Sequence, residues 1–138
     1  MDPTPHLFTA DEASALLPTV RSLIEQLQGL RASLAKTEQE LEALRVKLSA
    51  GNGYPIDELR KQERKLADHQ LDLAQAFQSA AEQFETIGCI LKDLDQGLVD
   101  FYSLRDGDLV FLCWKFGEEG VQFWHGVDDG FAGRRAIE

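Results

Sequence analysis

From Leu16 the apolar positions fall at Leu16, Val20, Leu23, Leu27, Leu30, Leu34, Thr37, Leu41, Leu44 and Leu48, in alternating steps of four and three with one polar member. That spacing is the seam of a coiled coil and predicts one long helix. Upstream, Thr9 reads as an N-cap, Glu12 as its reciprocal partner three residues on, and Phe8 as a hydrophobic staple. Pro18 falls inside the pattern, where a missing amide hydrogen predicts a kink or a short first helix. Gly51 and Gly53, followed by Pro55, stop the pattern. A second helix is predicted from about Ile56, with Asp57 and Glu58 at its positive end. Its stripe of Leu59, Leu66, Leu73, Phe77, Ala80, Phe84 and Ile87 has polar breaks at Gln62 and Gln70. Two helices joined by a short glycine-rich loop run antiparallel.

After Gly88 the period changes to two. β-branched and aromatic residues alternate with polar ones between turn signals, which predicts four strands: Gly88 to Leu94, Leu98 to Ser103, Leu109 to Phe116 and Val121 to His125. The short connections at 95–97, 106–107 and 117–120 make the simplest sheet an antiparallel meander. With Asp106 and Gly107 as a two-residue turn, Tyr102 faces Phe111, Phe101 faces Leu112 and Asp100 faces Cys113. A like turn at Glu118 and Glu119 sets Cys113 opposite Trp124 and Leu112 opposite His125. Directly opposed residues share a face. One face then collects Ile90, Val99, Phe101, Leu112, Trp114 and Phe123, with Lys92 and His125 at its margins, and is expected to pack on the second helix. The other collects Cys89, Asp100, Cys113, Lys115 and Trp124, and is expected to look outward.

The predicted fold class is α+β: a long antiparallel two-helix, coiled-coil-like hairpin followed by a small four-stranded antiparallel sheet packed at its base. The 138 residues suit one domain. Its expected parts are helix one over 8–50, kinked near Pro18, helix two over 55–87, the sheet over 88–126 and a C-terminal tail over 127–138. Helix one would be about 60 Å long, which predicts that part of the hairpin projects and offers a Leu seam to a second copy.

The formal charge is −10. Acidic side chains outnumber basic ones in both helical segments and most strongly after Gly88, 10 against 5. Nucleic-acid binding needs clustered phosphate-neutralising cations, so it is not expected. No apolar run reaches the length of a membrane span, and the stretch from Met1 to Pro5 lacks the marks of a signal peptide. Two cysteines, Cys89 and Cys113, fit a reducing compartment, and the expected location is cytoplasmic.

Candidate chemistry gathers in the last third. Cys113, His125, Asp100, Glu118, Asp128 and Asp129 supply the donor types that zinc takes. The register just given holds Cys113 and His125 on opposite faces, and only a three-residue hairpin at Gly117 to Gly120 would join them. The same objection meets a cysteine nucleophile assisted by His125. Arg134, if the tail folds back, could pair with Glu118 or Asp100 or clamp an anion. No glycine-rich loop precedes a helix in the manner of a nucleotide site.

Phe8 and Thr9 with Glu12, Leu17 and Pro18, then Gly97 to Phe101, Cys113 and Trp114, Gly117 and Glu118, Trp124 and His125, and Gly130, Phe131, Gly133 and Arg134 together resemble a small prokaryotic domain-of-unknown-function family, DUF2203. The resemblance covers nearly the whole chain and implies no activity. It points to Asp100, Cys113, Trp114, Glu118, Trp124, His125 and Arg134 as the positions to test. The expected function is that of a protein-protein interaction module, homodimeric through its hairpin, with the question of enzyme activity left open; no cofactor is predicted. The alternative is a small metal- or ligand-binding protein or enzyme using Asp100, Glu118, His125 and Arg134, with a divalent metal for which Glu118 and His125 are the candidate ligands.

Overall fold

The computed structural model describes residues 5–51 and 53–137. It is α+β: helices α1 (Ala10–Ala15), α2 (Leu17–Ala50) and α3 (Ile56–Ile87) precede an antiparallel sheet. The strands are β1 (Cys89–Asp93), β2 (Leu98–Arg105), β3 (Asp108–Lys115), β4 (Phe123–Gly126) and β5 (Arg135–Ala136), adjacent in chain order. The sheet therefore has five strands where the alternation predicts four. The fifth is two residues of the tail, too short to carry a period.

Thr9 caps α1 through the reciprocal pair with Glu12: the Glu12 amide donates to Thr9 Oγ1 at 3.1 Å, and the Thr9 amide to Glu12 Oε1 at 2.9 Å. Leu16 separates α1 from α2, and Pro18 is the second residue of α2, where the first-turn amides have no intrahelical acceptor to lose.

The chain forms two compact units, Gln26–Ala80 and the remainder. In the first, Glu38 accepts from Gln70 Nε2 at 2.6 Å, and Arg45 lies 3.8 Å from Glu63. Partners that step forward along α2 step backward along α3, the mark of an antiparallel hairpin. Leu41, Leu44 and Leu59 are buried along it. So is Thr37, the polar member of the seam, whose hydroxyl donates to the Ser33 carbonyl at 2.8 Å and thus buries no unpaired group.

In the second unit Ala13, Leu17, Val20, Ile24, Phe84, Val99, Phe101, Trp114 and Val121 form the core. The β2–β3 hairpin turns at Asp106 (φ 52°) and Gly107 (φ 85°), and Asp100 faces Cys113 as the two-residue turn requires. Two other registers differ from expectation. In β3–β4, Cys113 faces Phe123, Leu112 faces Trp124 and Phe111 faces His125. This is a slip of one residue, which moves every β4 side chain to the other face. In place of a tight turn, residues 116–122 form a loop held from a distance. The Val121 amide donates to Ser14 Oγ at 3.0 Å, and Arg21 donates to the Glu118 and Glu119 carbonyls at 3.0 and 3.1 Å.

In β1–β2, Asp93 faces Leu98 as alternation back from the turn requires, but a bulge between Leu91 and Asp93 then shifts the ladder, so that Cys89 faces Phe101 and Ile90 faces Asp100. Cys89 and Cys113 therefore lie on opposite faces, and both are free thiols. Cys89, Phe101, Leu112, Trp114 and Trp124 share one face. Ile90, Asp100, Phe111, Cys113, Phe123 and His125 share the other. This mixed face does not look outward: Phe111, Asp100, Cys113 and His125 are all buried.

Candidate functional site

Asp100 in the middle of β2, Cys113 opposite it on β3 and His125 on β4 converge on the mixed face. They are 3%, 2% and 4% exposed, and one ligand atom from each lies within 4.8 Å of the other two. His125 Nε2 is 3.2 Å from Asp100 Oδ1, while Nδ1 is 2.8 Å from the Gly126 carbonyl. A carbonyl oxygen only accepts, so Nδ1 carries the hydrogen. In the neutral ring Nε2 is then a lone pair aimed at a carboxylate oxygen, and two acceptors at that distance need a proton or a metal cation between them.

Burial raises the Asp100 carboxyl above its usual range, against the lowering pull of His125, Lys92 and the Cys113 thiol. Burial, and then the charge of Asp100, pushes Cys113 up to about 11, with Arg134 opposing. Cys89, on the other face, is pushed up to about 12 by burial. Neither thiol is thus an activated nucleophile, and Cys113 becomes a thiolate only if a cation replaces its proton.

Glu118 and Arg134 lie beside this group. Glu118 Oε1 accepts from the Lys115 amide at 2.8 Å, and its carboxylate takes both Arg134 terminal nitrogens, at 3.1 and 2.8 Å. Arg134 also stacks over the Phe123 and Phe131 rings, at 4.0 and 4.2 Å from their centroids, and lies near enough to Cys113 to oppose the rise of its thiol. With its oxygens so engaged, Glu118 positions the tail and stands outside the ligand cluster. Of the seven positions singled out from sequence, Asp100, Cys113, Glu118, His125 and Arg134 thus form one connected network. The tryptophans lie on the opposite face, where Trp114 donates from Nε1 to the Glu118 carbonyl at 3.0 Å and Trp124 is flanked by Arg105 and Arg135.

The model of the family described as "Uncharacterized conserved protein (DUF2203)" matches residues 6–137. The chain belongs to this family. As a DUF2203 member it matches no curated protein and no solved structure. Family membership adds no chemistry, so the site of this DUF2203 chain rests on its geometry.

Two contributors escaped the sequence reading. Lys92, expected at a margin of the core face, sits at the β1 bulge with its ammonium 5.0 Å from the Phe111 ring centroid. Phe131, in a single 3₁₀ turn (Phe131–Gly133), helps to wall a cavity of about 180 Å³ that opens onto Asp100, Cys113 and His125. Neither a bulge nor a one-turn helix leaves a periodic signal.

Proposed function

We propose that this protein binds one divalent transition-metal ion through Asp100, Cys113 and His125, with the fourth position facing the cavity. The observation that carries the reading is the hydrogen bond from His125 Nδ1 to the Gly126 carbonyl, which turns the Nε2 lone pair toward Asp100. A backbone carbonyl that fixes the tautomer of a ligating histidine is a recurrent support for metal sites. Imidazole, thiolate and carboxylate suit zinc, and three protein ligands leave one position open. Zinc bonds of roughly 2.0–2.3 Å require the cluster to close by about an ångström at its widest. The role assigned is binding, with no turnover.

The test is elemental analysis of the full chain, purified and then exposed to zinc, beside His125→Ala. One zinc per wild-type chain and none in the variant is the expected outcome. Equal zinc in the two would remove the reading.

A second reading, a homodimer formed by the helical hairpin, is favoured by Val46 and Leu71, which are 60% and 58% exposed in the unit that holds the hairpin. Sedimentation tests it. Wild-type dimers that Leu71→Glu converts to folded monomers support it, and a monomeric wild type removes it. The free, buried state of both cysteines favours a reducing, cytoplasmic location. No helix among the described residues is long and apolar enough to cross a membrane.

A further inference from the structure

We infer that the cavity beside the cluster binds a small monocarboxylate with an apolar body, its carboxylate at the open metal position and within reach of Lys92. The inference rests on the metal reading above and adds to it a ligand class.

Three observations carry it. First, the walls away from the cluster are largely apolar: Phe111, Val127 and Phe131 line the cavity with Leu98. A space of about 180 Å³ equals roughly six waters at their liquid volume, which suits a body of a few carbons or one ring and excludes a nucleotide. Second, charge selects the sign. A divalent ion held by one thiolate, one carboxylate and a neutral imidazole is formally neutral. Lys92 lines the same cavity, exposed at the bulge and close enough to act on the charge of Asp100. Of the other cations nearby, Arg134 is taken by Glu118, and Lys115 lies 5.6 Å from the Phe131 ring centroid without lining the cavity. Third, the lining carboxylate of Asp129 accepts from the Gly126 amide at 3.3 Å and faces the same space. It opposes a second negative charge, so a monoanion fits better than a dicarboxylate or a phosphate dianion.

The experiment uses the full chain loaded with cobalt(II), whose d–d and thiolate charge-transfer bands report the coordination sphere. Acetate, butyrate and benzoate are titrated in, with butyramide as the uncharged analogue of butyrate and inorganic phosphate as the dianion. Butyrate and benzoate should shift the bands at lower concentration than acetate, and butyramide and phosphate should not shift them. Lys92→Met, a change at an exposed side chain, should keep cobalt binding and weaken butyrate about tenfold or more, as expected for loss of a charge-assisted contact. A chain that holds cobalt with bands indifferent to all three carboxylates overturns the inference and leaves the metal reading standing. A chain that takes up no cobalt and no zinc overturns both. Carboxylate binding of equal strength in the metal-free protein, followed by titration calorimetry, overturns the inference alone.

Discussion

Arg134 donates to both carboxylate oxygens of Glu118, so a tail residue is fastened to the loop between β3 and β4 by a two-pronged, mostly buried contact. The pair fixes more than the tail. Glu118 also takes the Lys115 amide, and its carbonyl takes Trp114 Nε1 and Arg21, so this residue is a principal tie of the loop that sets the position of His125, beside those from Ser14 to Val121 and from Arg21 to Glu119. Lysine cannot reproduce the fork. Arg134→Lys should therefore cost stability, by about 1–3 kcal/mol for a partly buried charged contact, and Glu118→Gln should cost a similar amount. Urea unfolding followed by tryptophan fluorescence measures both. Changes that sum in the double variant would show that the two side chains act independently, contrary to this geometry.

Replacing a ligand separates binding from folding. Cys113→Ser keeps the shape of the site and removes the soft donor, so zinc affinity should fall by at least about 100-fold. His125→Ala should abolish stoichiometric retention and also weaken the metal-free protein, because Asp100 would stay buried without its partner. Competition against a chromophoric chelator reads the first effect, and denaturant midpoints read the second.

High pH should unfold the metal-free protein. Folded Cys113 and Cys89 hold their protons up to about 11 and about 12, against 9.0 for an unperturbed thiol. The native state therefore binds more protons than the unfolded chain between pH 9 and 11, and stability falls as pH rises through that window. Each cysteine contributes up to one proton to the slope. The denaturant midpoint plotted against pH should decline less steeply in Cys89→Ala, and an unchanged slope would contradict the assignment.

Gly97 has φ +67°, and a Cβ there would lie 2.5 Å from the Phe116 Cβ. Its carbonyl accepts from the Phe116 amide at 2.9 Å, so the two cannot separate cheaply. Gly97→Ala should lose about 1–3 kcal/mol through the positive φ and the contact together. Removing the neighbour's Cβ in Gly97→Ala/Phe116→Gly, measured against Phe116→Gly alone, should return the steric part and leave the conformational part. A thermal melt of the single variant matching the wild type would show that the turn relaxes freely.

Much of the fold was legible because it is periodic. The four-three alternation from Leu16 and the stripe from Leu59 are local signals of α2 and α3, and Asp106 with Gly107 carries its turn type in the dipeptide. The face assignments failed where register depends on distant contacts. The 116–122 loop is tied to Arg21, 97 residues from Glu118, and to Ser14, 107 residues from Val121, which no turn rule can see. That loop moved His125 to the side of Cys113, and the bulge at Lys92 moved Cys89 away from it. The donor types of the site were therefore visible one by one, while their convergence was hidden in two single-residue shifts.

Residues 127–137 supply Phe131 and Arg134, which lie over the mixed face, and β5, which extends the sheet beside β4. The same short segment is thus both cover and strut: cutting it away would bare one wall of the cavity and at the same stroke release Glu118 from its fork, so the body left behind would lose shelter and rigidity together.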